Sequence, residues 1–239
     1  MALDQRDWYD TPLYYDIVFD DGTVTEADFL EAMHHRHGLP NAKGRGKPSL
    51  LEPACGSGRL LAEMARRGWK VSGFDANGAS LHFARQRLAE TGLKARLWQD
   101  RLESFAPPPG ASYDLVHCLV STFKYLTNES DARECLRRAG HCLRPGGLLI
   151  VGLHLTDYSR TRPEHERWVA AREGIEVVCN TRTFPPDRQR RTEALRCRLR
   201  VTENGEAREQ ETHWNFRTYD AGQFRKTLRT ALPGFRLVD

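Results

Sequence analysis

Glu52, Gly56 and Gly58 stand within Leu50-Leu51-Glu52-Pro53-Ala54-Cys55-Gly56-Ser57-Gly58-Arg59-Leu60, a combination that can hold a small nucleotide-like ligand. Glycines on either side of a serine let backbone N–H groups approach a ligand closely, and a loop of this kind opening a helix aims that helix's N-terminus at whatever binds. The spacing argues against two chemistries. A dinucleotide fingerprint needs a further glycine where this chain has Leu61, and a phosphate loop ends in Gly-Lys-Ser/Thr where this chain has Gly58-Arg59-Leu60. Glu52 would repel a pyrophosphate but suits a ligand that carries an ammonium group.

The elements that must position these residues follow from periodicity and breakers. Ser49–Glu52 is a short strand, and Arg59–Arg67 is a helix with Leu60, Leu61 and Met64 on one face, ended by Gly68. Trp69–Asp75 is a second strand ending in an acid, whose two oxygens can accept both hydroxyls of a ribose. A helix over Ala79–Thr91, strands at Lys94–Gln99 and Tyr113–Val120, a helix over Asp131–Leu143 and a strand at Leu148–Leu155 continue the alternation. This predicts an α/β fold with a doubly wound, mostly parallel, Rossmann-like sheet. Three charge-rich alternating segments then follow, at 175–184, 192–202 and 207–219, separated by Pro185-Pro186-Asp187 and Glu203-Asn204-Gly205. They predict a small antiparallel β meander. Its Leu195, Cys197, Leu199 and Val201 alternate with Arg196, Arg198 and Arg200, so one face packs and the arginine face is read as solvated. A helix at 221–230 and a strand candidate at 235–239 complete the chain. The expected organisation is a helical approach or cap at 1–47, a sheet domain at 48–173 and 220–239, and the meander at 174–219.

The stretch Glu52–Gly58 resembles the first motif of class I S-adenosylmethionine-dependent methyltransferases. Asp75, Asp100, Tyr113-Asp114-Leu115-Val116 and Leu143-Arg144-Pro145-Gly146-Gly147 resemble later landmarks of that family, so that the likeness covers about residues 48–155. It implies S-adenosyl-L-methionine as the cofactor and S-adenosyl-L-homocysteine as the product. Glu52 is then expected near the methionyl amino group, with Ala54, Gly56, Ser57 and Gly58 against the cofactor, Asp75, Ala76 and Asn77 at the ribose, and Asp100 and Arg101 at the adenine. Leu119 and Ser121 join this set. Tyr14 and its neighbour Tyr15 either close over the cofactor or pack in the core, and Arg59 either reaches the cofactor carboxylate or is solvated.

Base-modifying relatives with a similar first motif carry an Asn/Asp-Pro-Pro-aromatic motif after the fourth strand. Here that stretch is Cys118-Leu119-Val120-Ser121-Thr122-Phe123-Lys124-Tyr125-Leu126, and Pro107-Pro108-Pro109 falls before the strand. With no basic cluster either, a nucleic-acid partner is disfavoured. The Ser-Thr-Phe-x-Tyr-Leu stretch and the meander are similar to small-molecule methyltransferases, which implies a small-molecule N or O acceptor and a meander serving as lid or homodimer platform. His154 and Tyr125 are the candidates for positioning the acceptor or removing its proton, and His117 reads as a buried, hydrogen-bonded core histidine. A non-catalytic domain that binds the same cofactor is the alternative reading. The family's sheet usually ends with a sixth strand and an antiparallel seventh; 235–239 looks like the sixth, so either this chain is shortened or the final strand is missing or replaced.

Composition agrees with a soluble, cytoplasmic protein. Of 239 residues 39% are hydrophobic and 28% charged, and the net charge of +4 does not by itself argue for an anionic partner. The first seven residues lack a signal pattern, and no apolar run is long enough for a membrane. Six cysteines without a C-x-x-C pair read as reduced and mostly buried, with no metal site.

Overall fold

The computed structural model describes residues 7–39 and 46–238. Most of the N-terminal stretch read for a signal pattern, part of the 1–47 segment before β1 and the last residue of the 235–239 candidate lie outside the described residues.

Thr11 and Pro12 open α1 (Pro12–Phe19), where proline fits because its missing N–H would lack a helical partner. It leads into α2 (Thr23–His37). The Rossmann-like unit comprises β1 (Ser49–Pro53), α3 (Arg59–Arg66), β2 (Lys70–Asp75), α4 (Gly78–Glu90), β3 (Ala95–Gln99), β4 (Tyr113–Cys118), α5 (Glu129–His141) and β5 (Leu143–Val151). Its five strands are all parallel, in the order β3-β2-β1-β4-β5. Asn77 and Asn128 cap α4 and α5 with side-chain oxygens that accept from Ser80 N and Asp131 N. One face of the sheet buries Leu51, Phe74 and Val116 with α5, and the other buries Leu50 and Leu115 with Leu60, Leu61 and Met64 of α3.

Two boundaries differ from the sequence reading. The fifth strand begins at Leu143, so Pro145-Gly146-Gly147 lies within it, at a register irregularity beside Tyr113–Leu115. The antiparallel sheet has four strands, not three: β6 (Glu164–Arg172), β7 (Ile175–Thr183), β8 (Thr192–Glu203) and β9 (Glu206–Arg217). Glu164-His165-Glu166-Arg167-Trp168-Val169-Ala170-Ala171-Arg172 is an almost wholly exposed edge strand, so it carries no apolar alternation to betray it. Two-residue turns at Glu173-Gly174 and Asn204-Gly205, with positive φ at both residues, join β6 to β7 and β8 to β9. The final helix, α6 (Ala221–Ala231), packs beside α5, and residues 235–238 form no strand.

The inward residues of the meander, Val177, Cys179, Cys197, Leu199 and Val201, bury against Trp8 and Ile17 of the N-terminal segment. Cap and meander thus share one core. Outward, Arg198 pairs with Glu211 at 2.7 Å, so the arginine face is partly neutralised by carboxylates of its own sheet. All six cysteines are free and buried. No helix among the described residues is long and apolar enough to cross a membrane.

Candidate active site

In a doubly wound sheet, ligands bind beyond the strand C-termini where the strand order reverses. Here that crevice lies between β1 and β4, and β1 ends in Glu52-Pro53 and runs into the glycine loop. The loop bends through left-handed conformations at Ala54 (φ 54°), Gly56 (φ 53°) and Gly58 (φ 69°). Gly58 is needed twice over, because a Cβ there would lie 2.8 Å from the Ala84 Cβ of α4. The close approach that glycine permits is therefore to α4.

Several carboxylates organise the site. Asp75, at the end of β2, accepts the Gly56 N–H on one oxygen and the Asn77 N–H on the other, each at 2.8 Å. Burial raises its pKa against these hydrogen bonds. Each oxygen keeps a second lone pair for a ligand hydroxyl. Asp100 accepts from Arg101 N at 2.9 Å and Ala106 N at 3.0 Å and stays half-buried beyond β3. Ala76 is exposed beside them, Asn77 also donates to Asp10 at 2.8 Å, and the Arg101 side chain points to Glu103.

Glu52 differs from these. Its Oε2 is sealed from solvent and has no hydrogen-bond partner. Burial pushes its pKa up to about 8; Glu26 and Asp75 add to the rise, and Arg59 opposes it. A buried carboxylate oxygen without a donor is costly, and an ammonium or hydroxyl donor placed against it removes the cost. Around it lie Tyr15, Glu26, Ala54, Arg59, Leu119, Val120 and Thr122, which enclose about 30 Å³ of space. That is room for a water.

Arg59 is buried rather than solvated, and its guanidinium is already engaged within the protein. It is 6% exposed, donates to Thr23 at 2.9 Å, and forks onto both oxygens of Glu26 at 2.9 and 2.8 Å. It ties α2 to α3. Ser57 is buried, and its hydroxyl donates to Asp16. Tyr15 lines the crevice, whereas Tyr14 stacks under Arg208 at the meander. Tyr15 carries a phenol that burial pushes up to about 12.

The candidates on the acceptor side separate as well. Ser121, with φ 58°, follows β4, and its Oγ accepts the His154 N–H at 3.2 Å. His154 lies three residues beyond β5 and is exposed. The Tyr125 hydroxyl is shared with that of Tyr9 at 2.9 Å, and burial holds both phenols far above their ordinary range. Both phenols are therefore held in the protonated form. Tyr9 was invisible in the sequence: it precedes α1 and meets Tyr125 only in the fold, where the pair packs with Trp214 and Phe216 of β9. Lys124, one residue earlier, ion-pairs with Glu193 of β8 at 2.6 Å, and Arg160 holds the other Glu193 oxygen at 2.9 Å. The meander is thereby anchored to the segment that carries Ser121 and Tyr125.

His117 is fully buried, but neither ring nitrogen has a partner, so the hydrogen-bonded reading is corrected. Burial pushes its pKa down to about 3, with Arg59 adding to the shift. Unfolding at acid pH restores an ordinary histidine near 6.5, so this residue costs stability increasingly as pH falls from 6.5 toward 3. His117→Leu is expected to raise the melting temperature at pH 5 more than at pH 8. Thermal melts at the two pH values check this.

Comparison with known proteins agrees with this geometry. Residues 50–147 match the model of a methyltransferase domain. A ubiquinone biosynthesis O-methyltransferase of Serratia proteamaculans is 29% identical over 140 residues, 59% of this chain and 54% of that protein. The chain thus spans about half the length of that curated relative. Among solved structures, DesVI of Streptomyces venezuelae superposes with a TM-score of 0.73 at 19% identity, covering 97% of this chain and 91% of its own. The sugar N-methyltransferase KedS8 of a Streptoalloteichus species gives 0.70 at 20%, covering 97% and 85%. With the first motif on β1, the acids ending β2 and following β3 and the sheet order, the chain has the Rossmann-like fold of the class I S-adenosylmethionine-dependent methyltransferases, and residues 50–147 match a methyltransferase domain.

Proposed function

We propose that the protein transfers a methyl group from S-adenosyl-L-methionine to a nitrogen of a small-molecule amine. The unpartnered, buried Oε2 of Glu52 carries this reading, since it is a cation-accepting site waiting for a donor. The remaining donor set fits the same cofactor. Asp75 has lone pairs for two ribose hydroxyls, Asp100 lies one strand further along for the adenine, and Leu119 and Ala54 supply apolar wall. The space beside Glu52 is small and Tyr15 is part of its wall. When bound, the cofactor supplies a methyl group already activated on a sulfonium, and the chain has to align a nucleophile and exclude water.

The nitrogen acceptor is inferred from what the chain does not offer as a base. Tyr9, Tyr15 and Tyr125 are held protonated, and His154 is exposed at the rim. A neutral amine brings its own lone pair, whereas a hydroxyl needs its proton removed. The sugar N-methyltransferase fold neighbour supports the same class, while the O-methyltransferase relative makes hydroxyl transfer the competing outcome. The domain roles this reading gives are a cap over the crevice from the described part of 1–47, cofactor binding by the sheet domain, and an acceptor-side wall from the meander. Homocysteine-release assays on amino sugars, simple amines and hydroxylated aromatics test this. Turnover with amines that rises with pH as their ammonium form is lost is the expected result. Transfer only to hydroxyl groups would overturn the nitrogen assignment, and cofactor binding without turnover on any acceptor would favour a non-catalytic domain.

A further inference from the structure

The glycine loop is held by four ties. Cys55 N–H donates to Phe74 O at 2.9 Å, Gly58 N–H to Cys55 O at 2.9 Å and Gly56 N–H to Asp75 at 2.8 Å. All three come from the loop itself or from β2. The fourth, Ser57 Oγ to Asp16 Oδ1 at 2.7 Å, comes from α1 of the cap. It fastens the apex of the loop, between two residues with left-handed backbone, where local structure offers the side chain no other anchor.

Asp16 is 0% exposed, and its other oxygen receives two guanidinium groups: Arg87 of α4, and Arg172 of β6 at 2.7 Å. Asp20 lies 3.5 Å from Arg172 and shares its charge. One carboxylate therefore joins the cap, the glycine loop, the helix that packs on Gly58, and the edge strand of the meander. A buried carboxylate with two charge-assisted partners and a hydroxyl has little freedom to move, so its position fixes the Ser57 hydroxyl and with it the loop apex.

We propose that Asp16 is a positioning residue for the methyl-donor site: it acts through Ser57 to hold the glycine loop in its binding shape, and through Arg172 it makes that shape depend on the seating of the meander. This rests on the S-adenosylmethionine reading of the crevice. Asp16 touches no ligand in this account; its effect on affinity is wholly indirect.

The test is calorimetric titration with S-adenosylhomocysteine on the full chain, as a double-mutant cycle with Asp16→Asn, Ser57→Ala and the pair. Each single variant is expected to weaken binding by tenfold or more, and the pair no more than Asp16→Asn alone, because both break one path. Ser57→Thr keeps the hydroxyl and is expected to stay within a few-fold of wild type. Arg172→Met is expected to weaken binding measurably, and to add nothing on a Ser57→Ala background. That arm holds even if Asp16→Asn does not fold. A lowered melting temperature with unchanged affinity in the single variants would make Asp16 a mere structural ion pair and overturn the proposal. So would losses that add in the cycle. If the wild-type chain itself binds neither S-adenosylhomocysteine nor S-adenosylmethionine, the methyl-donor reading fails before this one is reached.

Discussion

Asp75→Ala is expected to weaken S-adenosylmethionine binding about a hundredfold while leaving the chain folded. Two losses combine. The ribose hydroxyls lose a charged acceptor, and the Gly56 and Asn77 N–H groups lose theirs, which frees the first turn of the glycine loop and the cap of α4. Each charge-assisted bond contributes about 1.5–3 kcal/mol, and about 1.4 kcal/mol is tenfold in affinity. Asp75→Asn keeps one acceptor oxygen and is expected to fall between. Titration of both variants, with circular dichroism as a check of folding, measures this; affinity within threefold of wild type for Asp75→Ala would show that the ribose does not sit at β2.

The second large effect is one of pH. Glu52 is mostly protonated below its pKa of about 8, and an ammonium ligand selects the carboxylate. Below that pKa, each pH unit removes up to about tenfold of carboxylate and so of affinity. Cofactor binding is therefore expected to tighten by more than about tenfold from pH 6 to pH 7.5, with release of close to one proton at pH 6.5, and to level off near pH 8 where the ligand's own α-ammonium begins to lose its proton. The groups that face Glu52 are Arg59, Glu26, Asp75 and Tyr15. Arg59 stays charged throughout, and Tyr15 titrates well above the window. Glu52→Gln should bind weakly and without this slope. The sign for stability is opposite. Because the folded-state pKa is raised, the empty protein loses stability as pH rises from the ordinary carboxylate range near 4.5 up to about 8 and no more above it, so Glu52→Gln should raise the melting temperature of the ligand-free protein more at pH 9 than at pH 6. Calorimetry in buffers of different ionisation enthalpy, and melts at pH 6 and 9, read both effects. A flat pH profile for the wild type would place the ammonium elsewhere.

These effects also mark where sequence stops being informative. Glu52, Asp75 and Asp100 could be read because each ends or closely follows a strand of an alternating α/β pattern, so local periodicity fixes the sheet edge they share. The meander could be read from its turns, since Asn204-Gly205 demands the positive φ that it adopts. Its fourth strand could not, because β6 packs neither face deeply and so leaves no pattern. Side-chain partners across the chain were equally hidden. Arg59 looked like a ligand contact because it follows the loop, yet a glutamate on α2 takes its guanidinium. Ser57 reads as part of the cofactor cradle through its backbone, and the sequence does not show that its hydroxyl is taken by a carboxylate on α1. Tyr15, not Tyr14, faces the crevice because α1 turns Tyr14 toward Arg208. In each case the decision is made by how the cap docks, and that depends on Trp8 and Ile17 meeting the meander core far along the chain.

The central claim is that the crevice where β1 and β4 end is a methyl-donor site built on Glu52. Titration of the wild-type protein with S-adenosylhomocysteine at pH 8, beside Glu52→Gln, tests it most directly. One site per chain is expected, with binding at least about tenfold weaker in the variant. A folded wild-type protein that takes up no ligand, or a variant that binds as tightly as wild type, would contradict it.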